Sequence, residues 1–288
     1  MNIVGKRKLW FLISTLLVIF SVGTLIFNAV ARGKPMNFGI DFTGGTMLHL
    51  RFNQPIKVAQ VRAVLTDNGL GDAVIQKSKD RDVFIRAEMM ESDLRIKLVL
   101  ELGQKYGGVE LLGADLIGPV IGKELRTHAI WALIVASIGI IIYVSFRFEL
   151  IYALAALVAL FHDALIATGF MALLWRNVDV AFVAGILTIM GYSINDSIVI
   201  FDRIRENLKK YGTAKKKFAE IVNRSLLETL GRSINTVLTS LAMVLALLFF
   251  GGETLKNFSL VLLIGFVAGA YSSIFLASQL IIVWQSRK

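Results

Sequence analysis

An aspartate sits where hydrocarbon should exclude it. In the stretch Gly185 to Asn207, GILTIMGYSINDSIVIFDRIREN, the first half is apolar enough to lie in lipid, yet Asn195 and Asp196 fall inside it. The charges of Asp202, Arg203, Arg205 and Glu206 mark the exit into water just beyond. An ionised group at membrane depth costs at least about 2.5–3.5 kcal/mol, so such residues face a protein interior or a watery path and have a function there. Helical spacing puts Gly185, Thr188, Tyr192, Asp196 and Val199 on one stripe, a polar seam that another helix can meet.

A second seam lies downstream, where Thr229, Arg232, Thr236 and Thr239 recur at helical intervals with Asn235 beside them. At roughly 1.5 Å per residue, Asp196 and Arg232 both lie some 6 to 9 Å inside the same boundary. If their helices are neighbours, carboxylate and guanidinium could meet; otherwise Arg232 snorkels to the surface. A carboxylate pulled one way by burial and the other by a cation suits a group that gains and loses a proton during a cycle. His162 and Asp163 form a further pair in mid-span. Adjacent helix positions point about 100° apart, so the two cannot both face one site squarely. Asp163 is either a supporting relay or an interhelical hydrogen-bond partner, and His162 is structural.

These residues need helices that cross a membrane, and the chain has them. Of its 288 residues 56% are hydrophobic, more than a soluble core requires. Six apolar runs stand out: Leu9 to Ala31, His128 to Phe146, Leu150 to Trp175, Val180 to Phe201, Thr229 to Phe250, and Leu255 to Trp284. The first is longer than a signal-peptide core and lacks a convincing cleavage site, so it reads as an anchor. Six spans place both ends on one side. Lys6, Arg7, Lys8, Arg147, the run Arg203 to Arg224, Arg287 and Lys288 share one face, against Arg176 and Lys256 opposite. The positive-inside rule then makes the termini cytoplasmic, in a multi-pass protein of the cytoplasmic membrane. The expected division is 1–31 as N-terminus and first helix, 32–128 as an extracytoplasmic domain, and 129–288 as five helices with a cytoplasmic loop at 202–228.

The outer segment has its own order. A strand from Thr46 to Phe52 alternates Met47, His49 and Arg51 with Leu48, Leu50 and Phe52, and a helix from Val58 to Leu70 follows. Two strands, Ala73 to Ser78 and Val83 to Glu88, are joined by the turn Lys79 to Asp82. A helix from Ser92, its expected N-cap, to Tyr106 and a strand from Val109 to Ile117 complete βαββαβ, the split arrangement of an α+β ferredoxin-like sandwich. In the last span Gly265, Gly269, Ala270 and Ser273 recur at intervals that let helix backbones approach.

Several classes fall away. The net charge of +10 does not indicate a nucleic-acid partner, because residues 33–128 carry 13 Lys and Arg against 12 Asp and Glu, while the whole chain has 31 against 21. The basic excess therefore flanks the spans. There is no cysteine; His49, His128 and His162 are scattered; no HExxH, phosphate loop or nucleophile elbow occurs. Neither cofactor nor metal is expected. An intramembrane aspartyl protease using Asp163 and Asp196 would need two carboxylates sharing a proton, but the two sit at different depths. A passive scaffold would tolerate loss of Asp196.

Seven segments together carry a resemblance: GIDFTGGT at Gly39 to Thr46, GPVIGKEL at Gly118 to Leu125, the pair His162 and Asp163, GYSINDSIVIFDRIREN at Gly191 to Asn207, TLGRSINT at Thr229 to Thr236, FFGG at Phe249 to Gly252, and GAYSSIF at Gly269 to Phe275. In this order, around one outer domain, they resemble the SecF family of bacterial protein export, within the resistance-nodulation-division superfamily. The resemblance implies a subunit, not an enzyme, that pairs with SecD, associates with SecYEG and with YajC/YidC, and uses the proton-motive force to promote late steps of export of unfolded polypeptides. It also implies that Asp196 and Arg232 serve in proton passage. Gly231 and Ser233 around Arg232 depart from the family pattern. The alternative within the superfamily is half of a proton-driven exporter of lipids or small molecules, which the single small outer domain disfavours.

Overall fold

The computed structural model describes residues 2–78, 80–212 and 215–285, with only the backbone of residues 215, 216, 253 and 254 included. Lys79 of the expected turn, residues 213 and 214 of the expected basic run, and Arg287 and Lys288 of the basic C-terminus lie outside the described residues. In chain order the elements are α1 (Arg7–Arg32), β1 (Asn37–Phe38), α2 (Ile40–Thr43), β2 (Gly45–Phe52), α3 (Val58–Asp67), β3 (Val74–Lys77), β4 (Asp82–Ala87), α4 (Ser92–Lys105), β5 (Val109–Ile117), α5 (Pro119–Arg147), α6 (Leu150–Leu173), β6 (Asn177–Val178), α7 (Val180–Tyr211), α8 (Lys215–Phe250) and α9 (Gly252–Ser272). A π-helical turn, Ser273–Ala277, then leads into α10 (Ser278–Gln285). Two compact units result: Met1–Asn37 with Trp131–Lys288, and Phe38–Ile130.

The first unit holds the apolar helices. Among the described residues six helices are long and apolar enough to cross a membrane, the sixth running from Leu255 to Gln285 through the π turn. Where lipid is as apolar as leucine, helices associate through close backbone approach and hydrogen bonds. Both occur here. Gly169 of α6 lies against Ser21 of α1, Gly265 of α9 against Ile189 of α7, and Gly269 against Ser193, so a side chain at any of these glycines would displace its neighbour. Asn28, buried on α1, donates to the Ala172 carbonyl at 2.9 Å. Trp175, just past α6, holds a left-handed backbone (φ 50) that a side chain disfavours, and Arg32 lies 4.1 Å over its ring. At the opposite end, Asn223 of α8 accepts from the Ile3 and Val4 amides and ties down the start of the chain. α9 touches α6, α7 and α8 and is the hub of the unit.

Three helices outrun the apolar pattern. α5 starts at Pro119, nine residues before the expected His128, because proline is suited to the first helical turn. The 202–228 loop is instead helical from both sides, since α7 runs to Tyr211 and α8 starts at Lys215. Arg203–Glu206 at 2.7 Å and Arg224–Glu228 at 2.9 Å are pairs one helical turn apart, which stabilise helix beyond the lipid-compatible residues. Glycine at 212, with φ 87, ends α7.

In the second unit β2, β4, β3 and β5 form an antiparallel sheet in the order β3-β4-β2-β5. Leu48, Leu50 and Phe52 point into a core shared with Val61, Leu65, Leu98 and Leu102, while Met47, His49 and Arg51 occupy the other face, as the alternation requires. Ser92 is not the N-cap of α4. Glu91 holds that position without a side-chain cap, and the Ser92 hydroxyl accepts from Arg95 instead. Gly44 and Gly45 form a turn that only glycine fits. Both have positive φ (72 and 125), a Cβ at 44 would lie 3.0 Å from Pro119 Cα, and one at 45 would overlap the Ala87 carbonyl. Gly45→Ala is therefore expected to destabilise this unit by about 1–3 kcal/mol, read as faster amide exchange in β2 and β4.

Candidate functional site

α7 carries the site on two of its faces. Towards α8, Asp196 is 8% exposed, and its Oδ1 accepts a 2.6 Å hydrogen bond from the Ser233 hydroxyl. Its Oδ2 is buried and has no hydrogen-bond partner among the described residues. An anionic oxygen left bare in a protein interior is costly, whereas a carboxyl that binds a proton there loses its charge. The arrangement fits a group that exchanges a proton with a visiting water or a neighbouring chain.

Arg232 forms no ion pair with Asp196, nor with any other acid among the described residues. Its side chain is exposed on α8. The next residue, Ser233, takes the carboxylate because adjacent helix positions diverge by about 100°. The expected seams are likewise redistributed. Thr188 and Asn195 are exposed, as is Asn235, while Thr229 is buried. Thr188, Thr229, Thr236 and Thr239 each donate to a carbonyl four residues back on their own helix, which satisfies a hydroxyl in lipid without any partner helix. Tyr192 stacks on Phe266 of α9, with ring centroids 4.1 Å apart.

Towards α6 and α9 lies a second acid. Asp163 is fully buried, and its Oδ2 accepts from Ser193 of α7 and from Ser272 of α9, both at 2.7 Å. Its Oδ1 lies 3.1 Å from Nδ1 of His162, so the two neighbours do converge, contrary to the expectation from helical angles. The Ser273 hydroxyl donates to the Ser193 carbonyl and bonds the Ser197 hydroxyl at 3.0 Å.

The acid-binding residues that sequence reasoning missed are thus serines: Ser193, Ser233 and Ser272. The signal available was their spacing, since Ser193 stands three residues before Asp196 and Ser272 three after Gly269.

Comparison with known proteins places this geometry. Residues 99–287 match the family described as "Protein export membrane protein SecD/SecF, C-terminal", and residues 33–56 match the "SecD/SecF GG Motif". The "Protein translocase subunit SecF" of Sebaldella termitidis is 41% identical over 286 residues, covering 98% of this chain and 91% of that one. Its namesake from Pseudomonas aeruginosa is 38% identical, covering 98% and 90%. Among solved structures, SecDF from Thermus thermophilus, titled a translocon-associated membrane protein, superposes with a TM-score of 0.91 at 36% identity. SecDF in a super-membrane-facing form gives 0.71. All of this chain is covered in both, but only 39% of each SecDF chain, so this chain spans about two fifths of their length. With relatives matched almost end to end and a family match over more than half its residues, the chain belongs to the SecF side of the SecD/SecF family of protein-export membrane proteins.

Proposed function

We propose that this chain is the smaller subunit of a proton-driven SecDF-type complex. It pairs with SecD, works beside the SecYEG channel with YajC/YidC, and uses the proton-motive force to promote late steps in the export of unfolded polypeptides across the bacterial cytoplasmic membrane. Both termini face the cytoplasm, 32–128 is an extracytoplasmic ferredoxin-like domain, and 129–288 is the five-helix domain. The strand order of the outer sheet and its core on the helix side support that assignment.

The observation that carries this reading is the state of Asp196, held at one oxygen by Ser233 and bare at the other. Asp196 binds and releases the proton. Arg232 and Asn235 on α8, with Thr188 and Asn195 on α7, are exposed polar groups that fit a partner's helices better than lipid. Tyr192 and Thr229 support the packing. α5 leaves most of its apolar surface uncovered within the chain, which fits packing against the same partner. Purification of the tagged chain from bacterial membranes in mild detergent tests the reading. A larger homologous subunit and channel components are expected to remain bound; a lone homotrimer would overturn it in favour of a small-molecule exporter.

A further inference from the structure

His162 and Asp163 have no part in the proton path proposed above, yet they are built as a site. Asp163 is fully enclosed and His162 is 5% exposed. Nδ1 of the imidazole is engaged with Asp163, whereas Nε2 is buried without a hydrogen-bond partner among the described residues. A ring nitrogen enclosed and left open needs an explanation, because buried polar atoms are ordinarily satisfied. The surroundings are uncharged. α7 presents Ser193, and α9 presents Ser272 with Tyr271, whose ring stacks 6.0 Å from the imidazole and whose hydroxyl lies 3.2 Å from Ser14 of α1. The π turn and α10 carry buried Ser273, Ser278 and Gln279. Among the described residues no lysine, arginine or second carboxylate pairs with either group.

The second observation is the backbone. Ser272, which grips Asp163, is the last residue of α9, and the π turn Ser273–Ala277 follows at once. π turns break the regular ladder and often occur at functional sites. Gly269 packs against the same group, with Ser193 Cβ 3.1 Å and Asp163 Oδ2 3.5 Å from a virtual Cβ.

We propose that His162 and Asp163 form a second proton-binding dyad, open at His162 Nε2, whose occupancy sets how firmly α7 and α9 are held together beside the π turn. Nε2 takes a proton from a hydronium ion or a water chain, forming an N–H bond there and leaving water behind. The Nδ1–H then breaks, its proton forms an O–H bond on Asp163 Oδ1, and His162 is left as the other neutral tautomer. Ser193 and Ser272 donate to a carboxylate before this transfer and to a neutral carboxyl after it. Hydrogen bonds to an ionised acceptor are roughly twice as strong as neutral ones, so the grip on both helices weakens. The π turn is where α9 can then change register without breaking a regular helix.

The inference rests on the proposed reading only in taking this unit to handle protons, and its test reads the dyad rather than export. The full chain, co-expressed with its SecD partner and placed in lipid nanodiscs, carries 15N-labelled histidine and is followed from neutral to acid pH. The nitrogen shifts of His162, assigned by their loss in His162→Gln, are expected to move across that range, and amides 273–277 to exchange about tenfold faster at the acid end. Asp163→Asn is expected to move the midpoint by about tenfold in proton affinity or more, equal to about one pH unit. Ser272→Ala, which keeps both titratable groups, is expected to abolish the pH dependence of exchange. Constant nitrogen shifts, or exchange in the π turn indifferent to pH, would overturn the proposal, and both are read on the unmutated chain even if a variant fails to fold. If Asp196→Asn leaves export intact while the dyad still titrates, the export reading fails and this one stands.

Discussion

Exchanging Asp196 for asparagine is expected to impair gradient-dependent export severely while leaving the protein inserted and folded. The two side chains have the same shape, and the amide oxygen still accepts from Ser233, so the α7–α8 contact survives. What is lost is the ability to bind and release a proton at the oxygen that has no partner. Export of a secreted precursor is expected to fall about tenfold or more in its gradient-dependent part, the equivalent of at least about 1.4 kcal/mol on the limiting step. The measurement compares precursor release from membrane vesicles with and without an imposed proton gradient, alongside proton uptake by the same vesicles. Asp196→Glu keeps the titration on a longer arm and is expected to fall between the two. Arg232 separates charge from geometry: Arg232→Lys retains a cation, Arg232→Met removes it, and the lysine variant is expected to export better. Normal gradient-dependent export by Asp196→Asn would end the role of this acid as a proton carrier.

That prediction was legible in the sequence to the extent that Asp196 was, and Asp196 stood out because lipid makes a carboxylate expensive. The strands and helices of the second unit were legible for a different reason. Alternation of Leu48, Leu50 and Phe52 with polar neighbours and the glycines at 107 and 108 leave little freedom in where elements start and stop. What the pattern hid was the partner of each polar group. Arg232 outranks Ser233 in charge, but a helix fixes direction before chemistry, and the smaller residue is the one aimed at α7. The threonine seams misled because a hydroxyl in a helix can bond its own backbone, which leaves no trace in spacing. The limits of α7 and α8 were missed because apolar runs measure lipid thickness, whereas Arg203, Glu206, Arg224 and Glu228 extend the helices by pairing in water.

Valine in place of Gly265 is expected to cost the membrane unit about 1–3 kcal/mol, and shortening Ile189 to alanine to recover most of it. The Ile189 side chain, fully buried on α7, already fills the space that a Cβ at 265 would take. Gly185, further along the same contact, is nearly as tight, with Val261 Cγ1 2.9 Å from its virtual Cβ. With a glycine at each end of the contact, α9 cannot relieve a clash at 265 by sliding along α7 without creating one at 185. It must back away, and the bonds of Ser272 to Asp163 and of Ser273 to Ser193 lengthen with it. The readout is the thermal midpoint in detergent of Gly265→Val, Ile189→Ala and the double variant. Residues in direct contact couple by about 0.5–3 kcal/mol, so the double variant should lie well above the sum of the singles. Gly23→Ala is the comparison, because nothing lies within 4 Å of its virtual Cβ and alanine suits a helix better than glycine does. If Gly265→Val melts like Gly23→Ala, close backbone approach is not what holds α9 on α7, and the serine and aspartate bonds must carry that contact alone.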